Sequence, residues 1–540
     1  MAPVPTALLA ALIRCGRPGF GSRTGKGSDY APAMLASVQS AAVQGIDAYG
    51  VTVEVDAAQG LPVWTIVGLA VGGVKESRER VAAALVNSGF VVPHKRVTVN
   101  LAPADRRKEG TAFDLPIAIG ILVATGQLPA AAVDNVVIVG ELGLDGSVRP
   151  VRGALPIARD VARRAPPCTL VIPPLNVAEA ARVSRLALAA PATLAQLVAE
   201  LRAGNLVAPE RPVAREDPRD SCDFADVVGQ EAAKRALEVA AAGRHNVLMI
   251  GPPGTGKTML ARRLPTVLPE LTEEEALEVV AIHSVAGALT ADAATTPQRP
   301  FRAPHHSISG AGLIGGGSSP RPGEVSLAHH GVLFLDELLE FPRHVLESLR
   351  QPLEDARVVI ARASSSITYP ARFTLVGAMN PCPCGHAGDP ATACTCTPAD
   401  VARYRSRLSG PLLDRIDMHL AVGAVPVREL GSGARGESSA GMRQRVAAAH
   451  SRQRRRYAKV FGDRANAHVP GRWLSANTKI SAEARSMLET ASDRLSLSAR
   501  GYHRVIKVAR TIADLDGDPS VHAPHVAEAL RYRAPAARAE

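Results

Sequence analysis

Aromatic side chains are scarce in this chain, at 3% of 540 residues, which argues against stacked base platforms as the main mode of nucleic-acid contact. No apolar run approaches the roughly 20 residues of a membrane span, so no membrane partner is expected. Cysteine is used sparingly: four of the seven crowd between positions 382 and 396, which is no disulfide framework. No Lys or Arg precedes the short apolar run of residues 7–13, so that run does not read as a secretory leader. A cytoplasmic location is the expectation. What the chain has in excess is positive charge, 62 Lys and Arg against 51 Asp and Glu, a net of +11. That balance fits a polyanionic partner, although a basic surface can also serve solubility alone. The length allows three or so domains.

The most informative stretch is Gly251-Pro252-Pro253-Gly254-Thr255-Gly256-Lys257-Thr258, set between an apolar run and the start of a helix. This is the context of a P-loop, in which glycines let successive N–H groups turn inward onto a phosphate chain. The helix N-terminus adds partial positive charge, Lys257 reaches the β/γ-phosphates, and Thr258 offers its hydroxyl to Mg²⁺. A second apolar strand, residues 331–335, ends in Asp336 and Glu337. Asp336 is expected to hold the Mg²⁺ shell, and Glu337 to polarise the water that attacks the γ-phosphate. ATP and Mg²⁺ are thus the expected substrate and metal, and ATP hydrolysis the expected reaction.

In chain order, residues 1–33 read as a disordered extension or a misassigned start, with Met34 as the alternative beginning. Residues 34–202 form an α/β domain, with strands near 51–55, 64–67, 96–101 and 136–139 and a helix from about Asp114 to Thr125. Lys108-Glu109-Gly110-Thr111-Ala112-Phe113-Asp114-Leu115 and Gly140-Glu141-Leu142-Gly143…Gly153-Ala154-Leu155 resemble the proteolytic domain of Lon-type proteases. In that register Ala112 and Leu155 stand where the nucleophile and its base would be, so the resemblance implies a protease fold without its chemistry. Residues 203–222 read as a linker and 223–430 as the ATPase core. The pairs His305-His306 and His329-His330 read as loop or capping histidines, since no carboxylate or cysteine stands at ligand spacing beside them. A helix over 346–354 and a hairpin around 363–365 follow. Then comes a strand ending in Asn380, placed to orient the attacking water.

The order of P-loop, acidic strand, hairpin, Asn380 and Ser409-Gly410-Pro411-Leu412-Leu413-Asp414-Arg415-Ile416-Asp417 resembles the helix-insert clade of AAA+ ATPases. Phe301-Arg302-Ala303-Pro304-His305-His306, Pro322-Gly323-Glu324 and Asn380-Pro381-Cys382-Pro383-Cys384-Gly385 are similar to the YifB/ComM family within it. The resemblance implies an arginine finger at Arg415 that reaches a neighbouring protomer's γ-phosphate, and hence a homo-oligomeric, hexameric ring. Pairing of Arg415 with Asp414 or Asp417 is the bland alternative. Arg500 matches the second sensor, with Arg504 in reserve, both on a helical lid over 440–540. The family further implies ATP-driven branch migration or helicase movement on DNA during recombination or natural transformation. A chelatase-like ATPase that remodels a protein partner is the alternative.

Cys382, Cys384, Cys394 and Cys396 form two C-x-C elements that could close a tetrahedral structural Zn²⁺ site, against free thiols as the alternative. The basic run Arg452–Lys459 is either a solvated helix face or a phosphate contact.

Overall fold

The computed structural model describes residues 35–74, 76–211, 222–317, 320–362, 365–388, 392–425, 436–462, 464–495 and 497–533. The extension read at 1–33 and residues 212–221 of the linker read at 203–222 lie outside them. The first described unit is built on a mixed seven-stranded sheet. Its strand order is Trp64–Val67, Arg96–Ala102, Asp47–Ala58, Leu35–Gln44, Val136–Ile138, Thr169–Val171, Ala187–Ala189. Val51, Val53, Val55 and Ala57 alternate inward along the second of these in sequence, as period two requires. The helix Asp114–Ala124 is apolar all round and buried along its length, so it runs through the core rather than over the surface. It lies so close to the sheet that a Cβ on Gly120 would meet Val55 Cγ2 at 2.6 Å. Asp114 opens that helix and is fully buried, with Arg80 Nε 2.7 Å away and the Ser77 hydroxyl donating to it.

The second unit carries a five-stranded, wholly parallel sheet. Its order is Phe301–Arg302, Val332–Leu335, Thr374–Met379, Val247–Ile250, Met418–Ala421. Every residue of Val332–Leu335 and Thr374–Met379 is buried, the mark of strands covered on both faces. The strand Thr374–Met379 therefore sits between the P-loop strand and the acid-tipped strand. The helix expected over 346–354 forms as two pieces, Arg343–Glu347 and Arg350–Asp355. Pro352 has no N–H to continue a helix begun upstream, but it is tolerated in the first turn of a new one.

After residue 436 the described chain is helical: Ser439–Tyr457, Gly471–Asn477, Ala482–Arg494, Ala499–Asp516 and Ala523–Arg531. One hydrophobic cluster joins these helices to the sheet, running from Val247 and Met249 through Leu237 to Val446 and Val505. Its polar pin is Asp514, fully buried, which accepts from Arg456, Arg510 and Asn466. Removing one partner from such a buried pair costs about 3–5 kcal/mol, so Arg456 of the basic run is structural. No helix among the described residues is long and apolar enough to cross a membrane.

The two units meet on the helix Glu273–Ala286, which Thr272 and Glu275 open with a reciprocal capping box. Leu155 is fully buried there against Val280 and Ala281. Gly153 N donates to Ser284 O (3.3 Å), and Arg182 Nη1 donates to Ala294 O and Thr295 O (3.2 and 3.1 Å).

Candidate active site

The strand Val247–Ile250 delivers the chain into the glycine turn at the C-terminal edge of the sheet. Gly251 has no room for a side chain, since a Cβ would lie 2.1 Å from Val422 O. Gly254 and Gly256 adopt left-handed φ of +76° and +86°, which glycine takes without strain. The helix Lys257–Val267 starts at once, with its first N–H groups facing the turn. Lys257 Nζ donates to Gly251 O (2.7 Å), Pro252 O (2.8 Å) and Asn380 Oδ1 (3.3 Å). Burial lowers the pKa of this ammonium, and Asp336 opposes the shift. Thr258 Oγ1 donates to Asp336 Oδ2 at 2.6 Å, so these two oxygens converge beside the glycine turn. The donor set fits hydrated Mg²⁺, one hydroxyl and one carboxylate leaving positions for phosphate and water.

Glu337 follows in a left-handed conformation, φ +49°, which costs strain in a residue that carries a Cβ. Its N–H donates to Asp336 Oδ1 (3.0 Å), and its carboxylate, 60% exposed, faces His306 Nδ1 at 3.4 Å. The sequence gives no sign of that last contact, because His306 stands 31 positions upstream in a loop. An imidazole there can hold the carboxylate in one orientation.

Arg415 lies elsewhere. Its carbonyl accepts from Asn246 Nδ2 (2.9 Å), and Asn246 precedes the strand Val247–Ile250, whereas the P-loop follows it. At about 3.3 Å per residue, that strand separates Arg415 from its own P-loop. The guanidinium pairs with neither Asp414 nor Asp417. Nη2 bonds Glu354 and Nη1 donates to Pro411 O (2.6 Å). Asp417 is taken by Arg504 (2.6 Å) and His245 (3.4 Å); burial alone would raise its pKa, but the Arg504 charge and the His245 hydrogen bond outweigh it and hold the carboxylate well below its usual range. Arg415, Arg500, Arg504, Arg372 and Arg464 line one cleft of about 410 Å³. Arg500 is exposed there and Arg372 is crowded by Arg244 and Arg464, so the cleft carries unneutralised positive charge.

The four cysteines are brought together. Cys382, Cys384 and Cys394 place their sulfurs 3.4–3.7 Å apart, and Cys396 Sγ accepts from Cys384 N. A tetrahedral ion with bonds of about 2.3 Å spaces its sulfurs at about 3.8 Å, so the set fits Zn²⁺.

His329 and His330 do acquire a carboxylate, from the helix Glu273–Ala286: both Nε2 atoms meet Glu278 Oε2, at 3.0 and 2.7 Å. The local spacing hides it because it comes some 50 positions earlier. His329 Nδ1 accepts from Arg372 N (2.9 Å), so Nε2 carries the proton of the neutral ring and donates to Glu278. This is a hydrogen-bonded brace, and a metal would have to displace it. Burial holds His329 at about 4, and holds His419 at about 4 as well. With unfolded histidine near 6.5, the unfolded chain binds more protons as pH falls from about 6.5 toward 4, and stability is lost across that window. The hydrogen bonds from His329 and His330 depress Glu278, whose contribution goes at still lower pH. The melting temperature should be level from pH 8 to 7 and fall steadily from 6.5 to 4.5; a flat profile down to pH 5 contradicts the assignment.

A five-stranded parallel sheet with the Asn-tipped strand between the P-loop strand and the acidic strand is the core of an AAA+ ATPase. Residues 223–430 match the family described as "Magnesium chelatase, subunit ChlI". Residues 53–176 match "Subunit ChlI of Mg-chelatase", and 436–533 match "Magnesium chelatase, subunit ChlI C-terminal". The chain is thereby one of the magnesium-chelatase-like AAA+ ATPases. Competence protein ComM of Haemophilus influenzae is 46% identical over 509 residues, 93% of this chain and 97% of that protein. An uncharacterized protein YifB of Salmonella typhimurium is 45% identical over 503 residues, 93% and 97% of the two chains. The magnesium-chelatase 38 kDa subunit of Rhodobacter capsulatus is 32% identical over 177 residues, 29% of this chain and 50% of that subunit. The chain belongs to the YifB/ComM family.

Proposed function

We propose that this chain is a ring-forming ATPase that couples ATP hydrolysis to movement on DNA, as branch migration or helicase action in recombination or natural transformation. The observation that carries the ring is the distance of Arg415 from its own P-loop, in a cleft with surplus positive charge. A finger so placed serves a neighbouring protomer's γ-phosphate, and Arg500, in the same cleft, serves that site too. Within each site Lys257 binds the phosphates, Thr258 and Asp336 hold Mg²⁺, which neutralises phosphate charge, Glu337 takes the proton of the attacking water, and Asn380 orients it. Residues 34–202 act as a Lon-like scaffold without the dyad, Ala112 and Leu155 offering neither nucleophile nor base. Residues 440–540 act as the helical lid. Cys382, Cys384, Cys394 and Cys396 hold a structural Zn²⁺.

DNA as the partner is supported by the net charge of +11 and by the relative named as a competence protein. Each phosphate neutralised contributes about 0.7–0.9 to the slope of log affinity against log salt. Of the basic run, Arg454 and Arg455 lie on the exposed face of the helix Ser439–Tyr457, whereas Arg452 and Arg456 are tied to Asp514. Changing Arg454 and Arg455 to Ala should flatten the slope by about 1.5 in total while ATP turnover without DNA persists. Weak, salt-insensitive binding and turnover that DNA does not stimulate would favour the protein-remodelling ATPase instead.

A further inference from the structure

The loop that carries the four cysteines runs from Pro381 to Thr397; its described residues have no regular structure, and among them only Pro381, Cys382 and Gly385 are buried. So little apolar contact cannot offset the entropy of ordering the 14 described residues of the loop, and the cysteine cluster is the evident fastening. Its position decides what it fastens. Asn380 ends the strand Thr374–Met379 and stands two positions before Cys382; on the far side Cys396 leads straight into Thr397, which caps the helix Pro398–Arg405. Arg405 Nε closes this unit by donating to Pro381 O at 3.2 Å.

The loop also rests on the P-loop itself. Gly385 turns with φ +87°, and a Cβ there would lie 2.8 and 2.9 Å from Cδ and Cγ of Pro253. On the other flank, Asn380 Oδ1 accepts from Lys257 Nζ. Two backbone N–H groups already serve the sulfurs, Ala387 to Cys382 (3.2 Å) and Cys384 to Cys396 (3.4 Å), the hydrogen bonds that stabilise thiolate ligands.

We propose that zinc bound by Cys382, Cys384, Cys394 and Cys396 is a clamp that presses Gly385 onto Pro253 and fixes Asn380, so that zinc and nucleotide bind cooperatively. The inference rests on the zinc site and the ATPase reading given above, and adds their coupling. On binding, four thiols lose four protons and one Zn²⁺ gains four thiolates, with no electron transferred. The coupling is reciprocal, as any linkage between two ligands must be: zinc tightens nucleotide binding by the factor by which nucleotide tightens zinc.

The test uses the full chain purified anaerobically. Metal analysis should find about one zinc per chain. Stripping the zinc with a chelator should weaken binding of a fluorescent ADP analogue about tenfold, re-adding zinc should restore it, and saturating MgADP should weaken chelator competition for zinc by the same factor. Gly385→Ala keeps all four ligands, so it should keep the zinc and still weaken the nucleotide at least fivefold, through its Cβ against Pro253. Full zinc occupancy with one nucleotide affinity for loaded and stripped protein overturns the clamp and leaves the zinc site standing. Absence of zinc, with the thiols free or oxidised to disulfides, overturns both. Zinc-loaded protein that binds no nucleotide removes the ATPase reading and the clamp with it.

Discussion

Arg415→Ala protein should bind nucleotide as tightly as the parent and hydrolyse it about 10³- to 10⁵-fold more slowly, the range over which an arginine finger acts. The finger neutralises charge that develops on the γ-phosphate in the transition state, so its loss falls on kcat and leaves binding at the P-loop intact. The trans arrangement makes a sharper demand. Lys257→Ala protein holds no nucleotide but still presents a finger, and Arg415→Ala protein holds nucleotide but presents none. Mixed, the two inactive chains should form interfaces that pair a working P-loop with a working finger, and turnover should appear that neither chain shows alone. A mixture as silent as its components would place Arg415 outside the reaction or leave the chains unassembled, and sedimentation with nucleotide present separates those outcomes.

The second large effect divides binding from chemistry within one protomer. Lys257→Ala should abolish measurable nucleotide binding, because the ammonium is the one side-chain cation among the described residues that contacts the glycine turn. Glu337→Gln should retain binding and lose about 10²- to 10⁴-fold in turnover, the contribution of a positioned general base. Gln keeps the shape of the side chain and its proximity to His306 but cannot accept the water's proton. Retained turnover in Glu337→Gln would remove the assignment. Single-turnover kinetics then show whether Asn380→Ala acts on the same step, as the proposed shared water requires.

How far the sequence spoke depended on whether a feature was contiguous. The P-loop is eight consecutive residues whose types are dictated by backbone torsion and phosphate geometry, so it is legible without the fold. Asp336 and Glu337 are legible for the same reason, as acids at the tip of an apolar strand. The strands Thr169–Val171 and Ala187–Ala189 are too short to show alternation and were invisible. Long-range side-chain partners were invisible too. Glu354 rather than Asp414 or Asp417 holds Arg415, Glu278 joins the histidine pair, and Asp514 takes Arg456 out of the basic run. Each such pairing joins helices or loops separated by tens of residues, and nothing in local spacing records it. Arg500 stood out only through the family resemblance, and its place in one cleft with Arg415 depends on how the C-terminal helices dock.

Asn246 is a small residue with an unusual number of attachments. Its side chain accepts from Leu375 N (2.8 Å) and donates to Arg415 O (2.9 Å), while its carbonyl takes Asp417 N and Met418 N. The strand that starts at Thr374 is thus pinned to the Arg415 segment at one end and leads to Asn380 beside Lys257 at the other. A buried strand hydrogen-bonded on both sides transmits a push along its length with little compliance. On the proposed reading, the residue that orients the water and the residue that reaches the neighbouring protomer would be two ends of a single strut.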